Sequence, residues 1–182
     1  MEPFIVKNFI SNEDVIQLNK WTMSNYKNDF FKEANMRLRG TRLTTRYSDE
    51  YETTFSFPEI AYKVRQKIIN YLGSKIEHFS YKQPIYKHGI VNGIGFNGDV
   101  VYSHKDPVWY PGTYTLHCNI ISQKSLEGGV TWIEGVKYET EVNDLLVYKV
   151  SNLLHQVDEI KGNIPRILWV FGFSINERLI IK

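Results

Sequence analysis

The sequence predicts a mainly β protein with flanking helices, a double-sheet jelly roll whose N-terminal helices pack on one sheet. Three observations lead there. Two segments with helical spacing fall before about residue 80, short apolar runs punctuated by turn residues follow from about Pro84, and aromatic residues make up a sheet-favouring 14% of the chain.

The 182 residues suit one domain over 1–182, a helical buttress over about 1–80 and a β core over about 81–182. Hydrophobic residues at 42% and charged residues at 23% are ordinary globular usage. A net charge of +2, from 22 basic and 20 acidic residues, creates no general field for nucleic acid or an acidic membrane. Such a partner needs a local patch. The single cysteine, Cys118, excludes an internal disulfide and makes a cytoplasmic location the default expectation. The opening "MEPFIVKNFI" has an acid where a secretory leader has bases, and no apolar run approaches the roughly 18 residues that span a bilayer, so no membrane partner is expected.

The first helix starts at Ser11, with Asp14 three residues later, and its apolar face draws on Val15, Leu18 and Met23, with Ile16 and Trp21 nearby. The second is marked by a Ser56/Glu59 capping-box pattern with Pro58 in the first turn, and Gly73 ends it. Between them, "MRLRGTRLTTR" holds Arg37, Arg39, Arg42 and Arg46 without an acid. The favoured reading is a solvated strand edge or loop, and the alternative is a loop that grips a phosphate or carboxylate. In the β region, Asn97-Gly98 reads as a hairpin turn, and further turns fall at Pro111-Gly112, Gly128-Gly129, Glu134-Gly135, Asn143-Asp144 and Gly162-Asn163.

Within "YSHKDP", His104 and Asp106 stand two apart in a strand, so they share a face with Val100 and Tyr102. A buried aspartate needs a compensating donor or cation, and a metal ion is one such compensation. His155 lies in an apolar segment after enough chain for several strands to leave and return. Two imidazoles and a carboxylate can occupy one face of an octahedral metal and leave three positions open, the pattern of non-haem Fe(II) oxygenases. Taken alone, His155 reads as a core histidine bonded to backbone. Arg166 shares a strand face with Leu168 and Val170, while Ile167, Trp169, Phe171 and Phe173 share the other and pack against the helices. An arginine aimed into an apolar mouth suits a bidentate carboxylate, although one at a strand end more commonly snorkels to solvent. His117 shares a face with Thr115 and Asn119, opposite Tyr114 and Leu116, and is expected on the outer or substrate-facing side in a structural role.

"HKD" at 104 to 106, "LLHQV" around His155, Gly162 and Arg166 resemble the His-x-Asp, His and Arg pattern of the 2-oxoglutarate/Fe(II)-dependent oxygenases. Within these, "FIVKNFISNEDVIQLNKW" and "LEGGVTWIEG" are similar to the opening strand and helix and the Gly-Gly-x-Thr segment of the prolyl-4-hydroxylase-like group. The resemblance implies a double-stranded β-helix in which His104, Asp106 and His155 are the catalytic and metal residues, holding Fe(II). It implies 2-oxoglutarate as cosubstrate, with its far carboxylate on Arg166 and with Tyr114 or Tyr102 as a second donor. It also implies O2 as oxidant and ascorbate as a supporting reductant. The implied reaction hydroxylates a C–H bond of a peptide or protein side chain, or of a small molecule, and yields succinate and carbon dioxide. The arginine run keeps oxidative demethylation of nucleic acid as an alternative, and a non-catalytic jelly roll that binds a metal or carboxylate is a third reading.

Overall fold

The computed structural model describes residues 1–33, 42–45, 56–83 and 89–176. Arg37, Arg39, Arg46 and His88 lie outside them. Helix α1 (Asn12–Asn25) begins with both halves of a capping box: the Ser11 hydroxyl accepts from the Asp14 amide at 3.1 Å, and the Asp14 carboxylate accepts from the Ser11 amide at 3.0 Å. Its buried face is Val15, Leu18 and Thr22, whereas Ile16 and Met23 are exposed. The 15/18/22 spacing follows one stripe of a 3.6-residue helix, which positions 16 and 23 miss. Helix α2 (Glu59–Lys75) is capped at Pro58 without a side-chain hydrogen bond and runs two residues past Gly73 to Lys75. Ser56 therefore does not cap it. Proline's extended conformation sets the start, and an exposed glycine near the end does not interrupt the helix.

The fold is mostly β. The larger sheet contains β1 (Phe4–Val6), β11 (Leu145–Lys149), β7 (Thr113–Gln123), β14 (Arg166–Asn176), β5 (Ile90–Gly95), β3 (Leu43–Thr45) and β2 (Phe31–Glu33) in that order, with β4 (Tyr81–Lys82) also pairing β14. The smaller sheet runs β10 (Val136–Tyr138), β9 (Thr131–Ile133), β12 (His155–Val157) and β6 (Val101–His104), and β8 (Glu127–Gly128) pairs β13 (Ile160–Lys161). All pairings are antiparallel, as a jelly roll requires. Three strands thus come from the segment before residue 80, which is not helical alone.

Asn97-Gly98 forms a turn but not a hairpin. The left-handed Gly98 reverses the chain, yet β5 already has β14 and β3 on its two edges, so β6 continues in the smaller sheet. Glu134-Gly135 does close a hairpin between β9 and β10, with positive φ at both residues, the twist-matched two-residue form.

Both faces of the larger sheet are used. On one, Trp169, Phe171 and Phe173 of β14 and Leu116, Cys118 and Ile120 of β7 pack against Leu18 of α1 and Ile68 and Leu72 of α2. These side chains are fully buried, and each large apolar one contributes about 1.5–3 kcal/mol. On the other, Val91, Ile121, Leu168 and Val170 form a second apolar cluster. That face looks toward the smaller sheet across the cavity described next. Among the described residues, no helix is long and apolar enough to cross a membrane.

Candidate metal centre

His104 ends β6 directly opposite His155 at the start of β12, and antiparallel pairing brings their ring centroids to 4.3 Å. Each ring is anchored alike: Nδ1 of His104 lies 2.7 Å from the Tyr102 carbonyl and Nδ1 of His155 lies 3.2 Å from the Leu153 carbonyl. A carbonyl oxygen can only accept, so in each contact Nδ1 carries the hydrogen and Nε2 is the atom left for a ligand. Asp106, just beyond β6, is fixed by its amide, which donates to the Val150 carbonyl at 3.0 Å. One donor atom from each of His104, Asp106 and His155 can be chosen so that all lie within 4.8 Å of one another.

A β-bulge produces this convergence. His155 pairs His104 and Val157 pairs Val101, so two steps on β12 face three on β6. Val101 and His104 consequently both turn inward, whereas Tyr102 turns out and is 53% exposed. The simple two-residue alternation that placed Tyr102 beside His104 fails at this extra residue, and Tyr102 does not reach the cavity.

Tyr114 is also elsewhere. It is buried in the helix-side core with Leu116 and Cys118, and the Lys149 ammonium sits 4.2 Å from its ring centroid. The opposite face of β7 presents His117 and Asn119 to the cavity, and Ile121 to a neighbouring pocket beside Arg166. The polarity of β7 carried this signal, since the apolar set Leu116, Cys118 and Ile120 belongs against the helices and the polar set belongs over the site.

His117 Nε2 stands 3.7 Å from Asp106 Oδ2, and His104 Nε2 stands 3.4 Å from Asp106 Oδ1. Burial alone would raise the Asp106 carboxyl, but the contact with His104 and the electrostatic pull of the surrounding His117, His155 and His104 imidazoles outweigh it and hold the carboxyl well below its ordinary range. Burial depresses His155 and His117 to about 4 each, against the pull of Asp106. Both are neutral near pH 7, the form that offers a lone pair. The Tyr148 hydroxyl accepts from Asn119 Nδ2 at 3.2 Å, and its ring meets His155 edge-on at 5.5 Å. Buried Cys118 points into the other core, where burial pushes its thiol far up and leaves no nucleophile.

Arg166 begins β14 and is 5% exposed. It donates to the Thr131 hydroxyl at 3.3 Å, while its buried Nε has no partner among the described residues. Thr131 itself lines the cavity of His104, Asp106 and His155, whose volume is about 100 Å³. Arg166 faces an adjoining chamber that shares the walls Val91, Val101, Val157, Leu168 and Val170. Gly128 and Gly129 make this approach possible. A side chain on Gly128 would collide with the Glu159 carbonyl, and one on Gly129 with Arg166 itself.

No protein-family model matches the chain, and no curated protein matches it at sequence level. Solved structures do match. The viral collagen prolyl hydroxylase of Paramecium bursaria Chlorella virus-1, solved with 2OG, aligns at a TM-score of 0.68 and 13% identity over 97% of each chain. A Pseudomonas putida prolyl-4-hydroxylase aligns at 0.65 and 13% identity, over 96% of this chain and 92% of its own. An oxidoreductase of the 2OG-Fe(II) oxygenase family from Burkholderia pseudomallei aligns at 0.66 and 11% identity, over 97% and 88%. The chain has the fold of these oxygenases, with prolyl hydroxylases among its structural neighbours.

Proposed function

We propose that this chain is a non-haem Fe(II) oxygenase that uses 2-oxoglutarate and O2 to hydroxylate a C–H bond of a peptide or protein side chain. The observation that carries the reading is the convergence of His104, Asp106 and His155 beside a buried arginine with an unsatisfied nitrogen.

The donor set fits the metal. Two neutral-capable imidazoles and one carboxylate suit Fe(II) and occupy one face, leaving the remaining positions for small ligands. The Nδ1 anchors to the Tyr102 and Leu153 carbonyls fix both rings before any metal arrives. Arg166 fits the cosubstrate: its charge is buried, Thr131 satisfies one nitrogen, and Nε awaits an acceptor, which a carboxylate supplies in bidentate form. Thr131 lines the metal cavity while accepting from Arg166, and so links the two subsites.

When bound, Fe(II) and 2-oxoglutarate supply O2-driven oxidation of the C–H bond, with succinate and carbon dioxide as products. The protein's part is orientation and exclusion. Val91, Val101, Val157, Leu168 and Val170 keep water from the walls, and Asp106 remains an anion under the imidazoles around it. His117 Nε2, 3.7 Å from Asp106 Oδ2, restrains that oxygen from the cavity side.

The test is anaerobic addition of Fe(II) and 2-oxoglutarate, which should give a weak visible charge-transfer band that His104→Ala abolishes. In air, succinate should form with a panel of proline-containing and other peptides. Absence of the band in the wild-type chain, with no succinate from any substrate, would overturn the reading.

A further inference from the structure

Among the described residues that line the two chambers, Arg42 is a cation to which the cosubstrate and metal assignments give no task. Leu43 pairs Ile94 and Thr44 pairs Gly93, so the same register sets Arg42, at the entry to β3, beside Gly95. Arg166 pairs Gly95 from the other side. Two arginines thus flank one glycine across three strands. A Cβ on Gly95 would stand 2.5 Å from Ile160 Cδ1, so a larger residue there would displace the Ile160 side chain.

The alternation of β3 sends Leu43 to the helix-side core and Arg42 with Thr44 to the cavity side. Arg42 lines both the chamber in front of Arg166 and the one containing His104, Asp106 and His155. Its charge is felt by Arg166 on one side and by His117 and Tyr148 on the other. Among the described residues its guanidinium makes no hydrogen bond or ion pair. Asp99 lines the same chamber, but its carboxylate accepts the Phe96 amide at 2.7 Å.

Two guanidiniums beside one apolar chamber repel each other, and an anion at each relieves that repulsion. The cosubstrate's carboxylate accounts for one. We propose that Arg42 is a specificity-determining residue that receives a second carboxylate, that of the primary substrate, and that this substrate is a carboxylate on a short aliphatic stem. This rests on the oxygenase reading only for the assignment of Arg166 to the cosubstrate. Valine and leucine walls match an aliphatic stem. A nucleic-acid backbone, by contrast, takes its affinity from several phosphate contacts, and the described part of this chamber has one cation to spare. The carboxylate belongs either to a free acid or to an acidic residue within a peptide.

The test titrates the chain calorimetrically with N-acetyl-glutamate, its neutral isostere N-acetyl-glutamine, capped pentapeptides containing glutamate or glutamine, and an oligo-dT. In parallel it follows the anaerobic charge-transfer band. Each acid is expected to bind about 10-fold or more tightly than its amide in at least one of the two series, which tells free acid from peptide. Arg42→Gln should erase that preference while leaving the band, and Arg42→Lys should keep part of it. A melting curve verifies that both variants fold. Equal binding of acid and amide overturns the proposal. So does a band lost in Arg42→Gln, which gives Arg42 to the cosubstrate, or an Arg42-dependent affinity confined to oligo-dT. If the wild-type chain shows no band, the oxygenase reading falls alone, and the acid preference with its dependence on Arg42 still decides this proposal.

Discussion

Arg166 crosses directly over the α-carbon of Gly129: a methyl group placed there would lie 2.8 Å from Arg166 Cδ and 2.8 Å from Ser125 Oγ. Gly129 also has a φ of +70°, a conformation that costs any other residue energy. The glycine therefore serves backbone shape and arginine placement together.

Gly129→Ala should destabilise the chain by about 1–3 kcal/mol, the range for one residue forced into a rare backbone region. It should also weaken 2-oxoglutarate binding, because the guanidinium must move. Urea denaturation and a cosubstrate titration check both effects. A variant that matches wild type in each would show that neither contact matters.

Arg166→Lys keeps a positive charge but loses the planar fork. Cosubstrate affinity should fall about 10- to 100-fold while Fe(II) affinity stays near wild type. Equilibrium dialysis against each ligand separates the two. An unchanged 2-oxoglutarate titration would remove Arg166 from that role.

The metal-free chain should lose stability as pH falls from about 6.5 toward 4. His155 and His117 titrate near 4 when folded, below the ordinary 6.5. In that window the unfolded chain binds their protons and the folded chain does not, so stability rises with pH by on the order of 1 kcal/mol per pH unit for each histidine. The depressed Asp106 adds a loss in the same direction below its ordinary 3.8. Urea midpoints at pH 7 and pH 5 measure the slope. His117→Asn should flatten it, and an equal slope in that variant would contradict the assignment.

Phe171→Ala removes a fully buried ring from between β14 and the helices and should cost about 3–5 kcal/mol. Tyr102→Ser, on the exposed outer side of β6, should change stability by no more than about 0.5 kcal/mol and leave metal binding intact. Thermal melts of the two variants make the comparison. A large loss in Tyr102→Ser would mean that β6 depends on that side chain.

The parts of this fold readable from sequence were those governed by one local rule. Ser11 and Asp14 marked a helix start because both partners of the box lie within four residues. The two faces of β14 were readable because the strand is long and regular, with Trp169 and Phe171 opposed to Arg166 and Leu168. His104, Asp106 and His155 were legible as metal-ligating residue types at strand positions, and the structure brings one donor atom of each within 4.8 Å of the others. What escaped depended on pairing. Asn97-Gly98 makes a turn, but its neighbours enter different sheets according to the edges that were still open. Tyr102 and Tyr114 were placed by counting in twos, which fails at the bulge in β6 and cannot tell which buried face of β7 belongs to the cavity. His117 and Asn119 became visible only with the partner strands in place.

The extra residue in β6 also decides which changes of chain length the site can absorb. His155 and Val157 stand two apart on β12 and both face the cavity, whereas Val101 and His104 stand three apart on β6, so only the bulge keeps the second pair on one face. Straightening β6 at constant length would turn the imidazole of His104 outward. A single-codon deletion of Tyr102 or Ser103 would instead leave the pair two apart, the spacing of a regular strand, and the imidazole would keep its side.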